Sequence, residues 1–140
     1  MALRIKSREF ALQMLFQWEM TAQKPARIET GFWVYARAEK KTRTFANQLF
    51  EGAVAQVKAI DGMLSAHAMN WRLDRMAAID RNILRLAVYE MRAGDTPAKV
   101  VINEGIELAQ KYSSEDSGAF INGVLDSIHK ELEKKMEKGK

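Results

Sequence analysis

The sequence contains no cysteine, only two prolines and only two histidines among its 140 residues. The lack of cysteine excludes a disulfide framework, a thiolate nucleophile and a thiolate metal site. It also fits a reducing compartment, so we expect a cytoplasmic protein. His67 and His129 do not stand at a metal-ligand spacing, and the sequence therefore predicts no metal site.

Long hydrophobic runs are also missing. No stretch approaches the roughly 18 consecutive apolar residues of a membrane-spanning helix. Residues 1–6 lack the unbroken apolar run of a secretory signal. We therefore expect no membrane association. The 47% hydrophobic and 29% charged content indicates one soluble domain, because 140 residues are too few for two ordinary ones.

Catalytic motifs are equally scarce. No serine has the sharp turn context of a nucleophile. Gly118 and Gly123 have the spacing of a phosphate loop, but Val124 and Leu125 stand where that loop needs Lys and Ser or Thr. The sequence thus predicts no catalytic residue, and binding remains as the function to explain.

Apolar residues recur at helical spacing along most of the chain. We predict helices from Ser7, as the N-cap, to about Met20, and over residues 28–38, 45–64, 76–91, 97–112 and 115–135. The helix over residues 76–91 is apolar on more than half of its circumference, so it should lie centrally. Asn122-Gly123 is a common hairpin signal, but the fourfold spacing of Phe120, Val124 and Ile128 favours one helix there.

These segments predict an all-α fold, with six or seven helices in a single compact domain over residues 1–140. We expect a flexible basic N-terminal arm at residues 1–6 and a frayed C-terminal tail at residues 134–140.

Charge is distributed unevenly. Residues 1–70 carry ten Lys or Arg against six Asp or Glu, whereas residues 71–140 carry twelve of each. Between Asp74 and Asp126, nine acids face six bases. This asymmetry is compatible with ordinary solvated charge, and also with one surface for a polyanion and another for a basic partner.

Four strings in order resemble the NusB family of antitermination factors. They are residues 8–18 (REFALQMLFQW), 80–91 (DRNILRLAVYEM), 97–109 (PAKVVINEGIELA) and 114–126 (SEDSGAFINGVLD). Residues 21–44 match the family poorly. The resemblance implies two packed helical bundles, no catalysed reaction and no cofactor. It also implies a role with other Nus factors in the antitermination complex of RNA polymerase, chiefly during ribosomal RNA synthesis. There the ribosomal protein NusE and the single-stranded boxA RNA would be the partners.

The resemblance also suggests residues that contact RNA. Arg8, with Arg4 and Lys6, would correspond to a basic N-terminal arm on RNA phosphates. Asp116 and Phe120 would lie at the RNA-facing start of the last helix, where a carboxylate accepts from base amino groups and a ring stacks on an unpaired base.

Two further residues correspond to partner contacts of the family. Phe16 stands at the border of RNA and partner, and Asp80 stands where relatives carry an acid facing the basic ribosomal protein. Ala119 replaces a Lys found in many relatives, which should remove a phosphate contact.

Three alternatives are considered. The first is an accessory domain like the one that begins some RNA methyltransferases, but no cofactor-binding domain follows within these 140 residues. The second is a helix-turn-helix regulator of DNA, for which the candidate helices are too apolar. The third is a structural homodimer, whose interface would cover the RNA surface.

Overall fold

The computed structural model describes residues 2–68 and 72–138. Within them lie seven α-helices and one short 3-10 helix, and no strand. The α-helices are α1 (Ala2–Thr21), α2 (Pro25–Tyr35), α3 (Lys40–Ala55), α4 (Val57–His67), α5 (Ala78–Ala93), α6 (Ala98–Tyr112) and α7 (Ser117–Lys138), and the 3-10 helix is Leu73–Arg75. The predicted all-α fold is confirmed. No described helix is both long and apolar enough to cross a membrane.

Helix α5 lies at the centre of the fold, as its apolar pattern predicted. Ile83, Leu84 and Val88 are completely buried, and α5 packs against α1, α3, α4, α6 and α7. One bundle is formed by α1, α2 and α3, and the other by α4, α5, α6 and α7. The burial of α5 on several sides joins the two bundles through a continuous hydrophobic core.

Helix α1 begins five residues earlier than predicted. Residues 2–6 form its first turns and are not the flexible arm that the sequence suggested. Ser7 is not an N-cap, because its buried hydroxyl donates a hydrogen bond to the carbonyl oxygen of Thr42, 2.9 Å away. This contact fixes the start of α1 on α3. At the other end of the chain α7 continues to Lys138, so residues 134–138 are helical and the fraying of the tail stays a prediction.

The helix predicted over residues 45–64 is in fact two helices. Gln56 leaves the helical conformation, with φ −105° and ψ 14°, and separates α3 from α4. Gly52 lies one turn before the break and faces the Tyr89 ring of α5. A Cβ atom at Gly52 would come within 2.1 Å of that ring, so glycine is needed for α3 and α5 to pack this closely.

Glycine also ends α5, where Gly94 adopts the left-handed φ of 79° that a helix C-terminus favours. Asn122-Gly123 lies inside α7, as predicted. Apart from the backbone of α7 itself, no atom lies within 4 Å of a Cβ atom built at Gly123, so no close packing requires glycine there.

Helix α2 is attached to its neighbours through aromatic and polar contacts. The rings of Phe32 and Trp33 pack edge-on against Phe10 at centroid distances of 5.8 and 5.2 Å. Trp33 Nε1 donates to Asn47 Oδ1 at 2.8 Å. These contacts hold the C-terminal end of α2 between α1 and α3.

A pair of carboxyl groups also joins α2 to α3. Burial, a hydrogen bond to Glu51 and the negative charge of Glu51 together raise the pKa of Glu29 to about 8. Glu29 is therefore protonated over most of the physiological pH range.

A polar network that the sequence did not reveal connects α1, α4 and α5. The Arg85 guanidinium donates to both carboxylate oxygens of Asp61, at 2.9 and 2.8 Å, and to Glu19 at 2.6 Å. Arg81 and Asn82 also donate to Glu19. Burial opposes the ionisation of Glu19, but the hydrogen bonds and charges of Arg81 and Arg85 leave its pKa below the ordinary value.

Candidate nucleic-acid interface

A pocket of about 390 Å³ opens where the first turn of α5 meets the start of α7. Its lining consists of Met76, Ala77, Asp80, Ser114, Asp116, Ser117 and Phe120. The volume falls in the ordinary range for small-ligand sites. Asp116 and Phe120, which were predicted to bind RNA, and Asp80, which was predicted to bind the protein partner, therefore line one cavity.

Three serines hold the pocket in shape. The Ser117 hydroxyl donates to Asp80 Oδ2 at 3.1 Å. It lies 2.9 and 3.0 Å from the hydroxyls of Ser113 and Ser114. Because a hydroxyl has one proton and two lone pairs, Ser113 and Ser114 act as donors to Ser117. The turn between α6 and α7 is thus linked to the first turn of α5.

Within the described part of the chain, Asp80 has one carboxylate oxygen with a hydrogen-bond partner and one without. Its Oδ1 atom is buried and has no hydrogen-bond partner among the described residues, whereas Oδ2 is held by Ser117. A buried carboxylate oxygen without a donor is costly. The pocket is therefore suited to a ligand that brings an N–H donor.

Asp116 and Phe120 supply the other two functional groups. Asp116 is exposed just before α7 begins. Phe120 is half-buried and packs partly against the core, so the alternatives of core residue and binding residue both apply to it. With two carboxylates beside a ring, the pocket suits a planar group carrying N–H donors and disfavours a phosphate.

Arg8 is not available to RNA. It is 4% exposed, and its Nε and Nη2 atoms donate to the two carboxylate oxygens of Glu90, both at 2.8 Å. Burial opposes its charge, but the hydrogen bond and charge of Glu90 outweigh burial and leave the pKa of Arg8 raised. The predicted phosphate contact at Arg8 is wrong, because this arginine fastens α1 to α5.

Arg4 and Lys6 point to different neighbours. The guanidinium of Arg4 lies 4.9 Å from the centre of the Phe45 ring and donates to the Thr96 hydroxyl at 3.4 Å. Lys6 is 63% exposed and lies 3.6 Å from Glu9. Lys6 is thus held on the surface of α1 beside Glu9.

Glu9 connects Lys6 to a cation that the sequence analysis missed. Lys111 Nζ donates to Glu9 Oε1 at 2.5 Å, and its side chain is 57% exposed. Lys111 stands in the last turn of α6, directly before the serine turn that shapes the pocket. Only its position five residues before Asp116 could have signalled this role. Lys6 and Lys111 thus form a pair of exposed cations around Glu9, and Lys111 lies three residues before Ser114 of the pocket lining.

Phe16 lies on the exposed face of α1 and is 36% exposed. It does not line the pocket, whereas Asp80, the other predicted partner contact, does. Its contact with a protein partner stays a prediction.

His67 serves the packing of α4 on α7. Its ring nitrogens lie 2.7 Å from Ser127 Oγ and 2.9 Å from Glu131 Oε2. The hydrogen bond from His67 lowers the pKa of Glu131. Among the described residues no group of three or more His, Cys, Asp or Glu is placed to hold a metal ion.

The fold and the site together define an all-α protein with a pocket lined by two carboxylates and an aromatic ring. The model of the NusB family matches residues 5–130. The transcription antitermination protein NusB of Koribacter versatilis is 48% identical over 137 residues, covering 96% of this chain and 94% of that protein. NusB of Anaeromyxobacter dehalogenans (strain 2CP-1) is 47% identical over 126 residues, covering 89% of each. The chain belongs to the NusB family.

Solved structures agree with this assignment. NusB of T. maritima superposes with a TM-score of 0.81 at 35% identity and covers 91% of both chains. A chain from the crystal structure of the antitermination factors NusB and NusE in complex with dsRNA gives a TM-score of 0.84 at 28% identity, covering 93% of this chain and 98% of that one. The predicted two-bundle fold of this family is confirmed.

Proposed function

We propose that this protein is a transcription antitermination factor that acts as an RNA-binding adaptor in the cytoplasm. In this role it binds single-stranded boxA RNA together with NusE and joins the antitermination complex of RNA polymerase with other Nus factors. It works by binding, without catalysis and without a cofactor. The observation that carries the proposal is the pocket in which Asp80, Asp116 and Phe120 meet. Lys111, which shares Glu9 with Lys6, lies five residues before Asp116 in the sequence.

The bases and the phosphates of the RNA would occupy different parts of this site. An unstacked base brings amino donors for Asp80 Oδ1 and Asp116, and a flat face for the Phe120 ring. The backbone would run along Lys6 and Lys111, because phosphates are repelled by the pocket carboxylates and attracted by the lysines. The NusB–NusE complex with dsRNA supports an RNA role for this fold.

The ribosomal partner would bind beside the RNA. Phe16 offers an exposed ring on α1, and the acidic stretch between Asp74 and Asp126 offers charge complementary to a basic protein. Asp80 belongs to the RNA pocket in this proposal, and its contact with NusE remains a prediction of the resemblance alone.

Fluorescence anisotropy tests the proposal. A labelled boxA RNA and a scrambled RNA of equal composition are titrated with the protein, with and without NusE. We expect weak binding of boxA RNA alone and markedly tighter binding with NusE. Equal affinity for the scrambled RNA, or no effect of NusE, would overturn the proposal.

A pair of variants then locates the base. Phe120→Ala removes a stacking ring worth about 1–3 kcal/mol, so boxA affinity should fall roughly 5- to 150-fold. Phe120→Leu keeps most of the apolar contact with the core, so it separates the loss of stacking from a loss of folding. Circular dichroism reports whether each variant is folded. Full affinity in both variants would remove the base from this pocket.

A further inference from the structure

A second cationic surface lies away from the pocket, around the connection between α2 and α3. Arg37, Lys40, Lys41 and Arg43 follow each other within seven residues, and all four are exposed. None has an ion pair or a side-chain hydrogen bond to another described residue. Glu39 is the one acid among these seven residues.

An exposed aromatic ring accompanies these cations. Tyr35, the last residue of α2, is 90% exposed, although a ring of this size is usually largely buried. The end of α2 is held in place by the contacts of Trp33 with Phe10 and Asn47. Tyr35 is therefore presented to solvent from an anchored helix end.

Lys6 connects this surface to Lys111. Ser7, the residue after Lys6, donates a hydrogen bond to the carbonyl oxygen of Thr42 in the first turn of α3, where Lys41 and Arg43 flank Thr42. Lys6 Nζ also lies 5.7 Å from the centre of the Phe10 ring, which packs on Trp33. From Lys6 the ionic contacts continue through Glu9 to Lys111.

We propose that this α2–α3 surface is a second contact for single-stranded RNA, which holds nucleotides that flank the segment in the pocket. Its residues are Lys6, Tyr35, Arg37, Lys40, Lys41 and Arg43. Exposed cations along the path of the strand bind its phosphates, and an exposed ring offers a platform on which any base can stack. Sequence preference is not expected here, because stacking and phosphate contacts do not read base edges.

The proposal rests on the proposed function, since it extends the RNA path beyond the pocket.

Two RNAs test the α2–α3 surface separately from the pocket. One carries only the boxA element, and the other is extended with uridines on both sides. The wild-type protein should bind the longer RNA more tightly and with a steeper salt dependence. The variant Arg37→Gln/Lys40→Gln/Lys41→Gln should lose most of this advantage, because it removes three of the five cations of the surface.

The size of the effect follows from the number of phosphates that the surface neutralises. The triple variant removes about three phosphate-binding cations, and each phosphate contributes a salt slope near 0.7. A fourfold rise in salt lowers the affinity of each protein for the long RNA, and the factor by which it falls should be roughly 20 times smaller for the variant than for the wild type. Tyr35→Ser should lower affinity for the long RNA alone, and Tyr35→Phe, which keeps the ring, should not.

A matched control removes the same charge elsewhere. Lys130→Gln/Lys134→Gln/Lys135→Gln changes three exposed lysines on the far end of α7 and should keep the preference for the longer RNA. Equal binding of both RNAs by the wild type, or equal losses in both triple variants, would overturn the α2–α3 surface. If the wild type does not bind the short RNA, this result would instead count against the pocket and the proposed function.

Discussion

The ion pair between Arg8 and Glu90 gives the sharpest test of the structure. Both side chains are buried, with 4% and 5% exposure, and two hydrogen bonds of 2.8 Å join them. Arg8→Met would keep most of the apolar stem but leave the Glu90 carboxylate buried without its cation. Nearby, burial already raises the pKa of Glu104, and the charge of Arg8 counteracts this rise.

The expected loss is large, because an unpaired buried charge costs more than a missing hydrogen bond. We expect Arg8→Met to lower the free energy of unfolding by about 3–5 kcal/mol. For a domain of this length that corresponds to a fall of about 10–20 °C in the melting temperature. Urea unfolding followed by circular dichroism measures the first quantity, and a thermal scan measures the second.

Two further variants separate the charge effect from general damage. Arg8→Met/Glu90→Leu removes both charges, so it should recover to within about 1–2 kcal/mol of the wild type. Lys6→Met changes an exposed cation two residues earlier and should cost no more than about 0.5 kcal/mol. A cost below about 1 kcal/mol for Arg8→Met would refute the buried pair, as would a double variant less stable than the single one.

Three other predictions concern stability. Gly52→Ala places a methyl group against the Tyr89 ring and should lower the free energy of unfolding in urea by about 1–3 kcal/mol. Gly123→Ala, in open space inside α7, should raise it by up to about 1 kcal/mol. Equal effects of the two variants would contradict the packing of Gly52 against Tyr89. Glu29 keeps its proton to about pH 8 when folded but releases it near pH 4.5 when unfolded, so its contribution to stability is lost as the pH rises through this window. Glu29→Gln should flatten the fall in melting temperature between these values, and an unchanged pH profile would contradict the raised pKa of Glu29.

The sequence predicted the elements whose patterns are strong and local. The many-sided apolar pattern of residues 76–91 correctly indicated a central helix, and the fourfold spacing around Phe120 correctly favoured a helix over a hairpin. The break at Gln56 was missed, because the apolar spacing continues across it and no Pro or Gly marks it.

Arg8 shows why the site was harder to predict than the fold. Its neighbours Arg4 and Lys6 suggested an arm on phosphates, but its partner Glu90 lies 82 positions away and no local pattern signals that contact. The pocket could not be predicted for the same reason. Asp80 and Ser117 are 37 positions apart, so their meeting depends on how α5 and α7 pack, which spacing within either helix does not reveal.

The central claim is that RNA occupies the pocket between the start of α5 and the start of α7. Hydrogen–deuterium exchange of the protein, alone and with boxA RNA and NusE, tests it most directly. RNA added to the preformed complex with NusE should slow amide exchange in residues 76–80 and 113–121, while the far end of α7 stays unchanged. If bound RNA leaves exchange in both segments unaltered, the RNA lies elsewhere and the claim is contradicted.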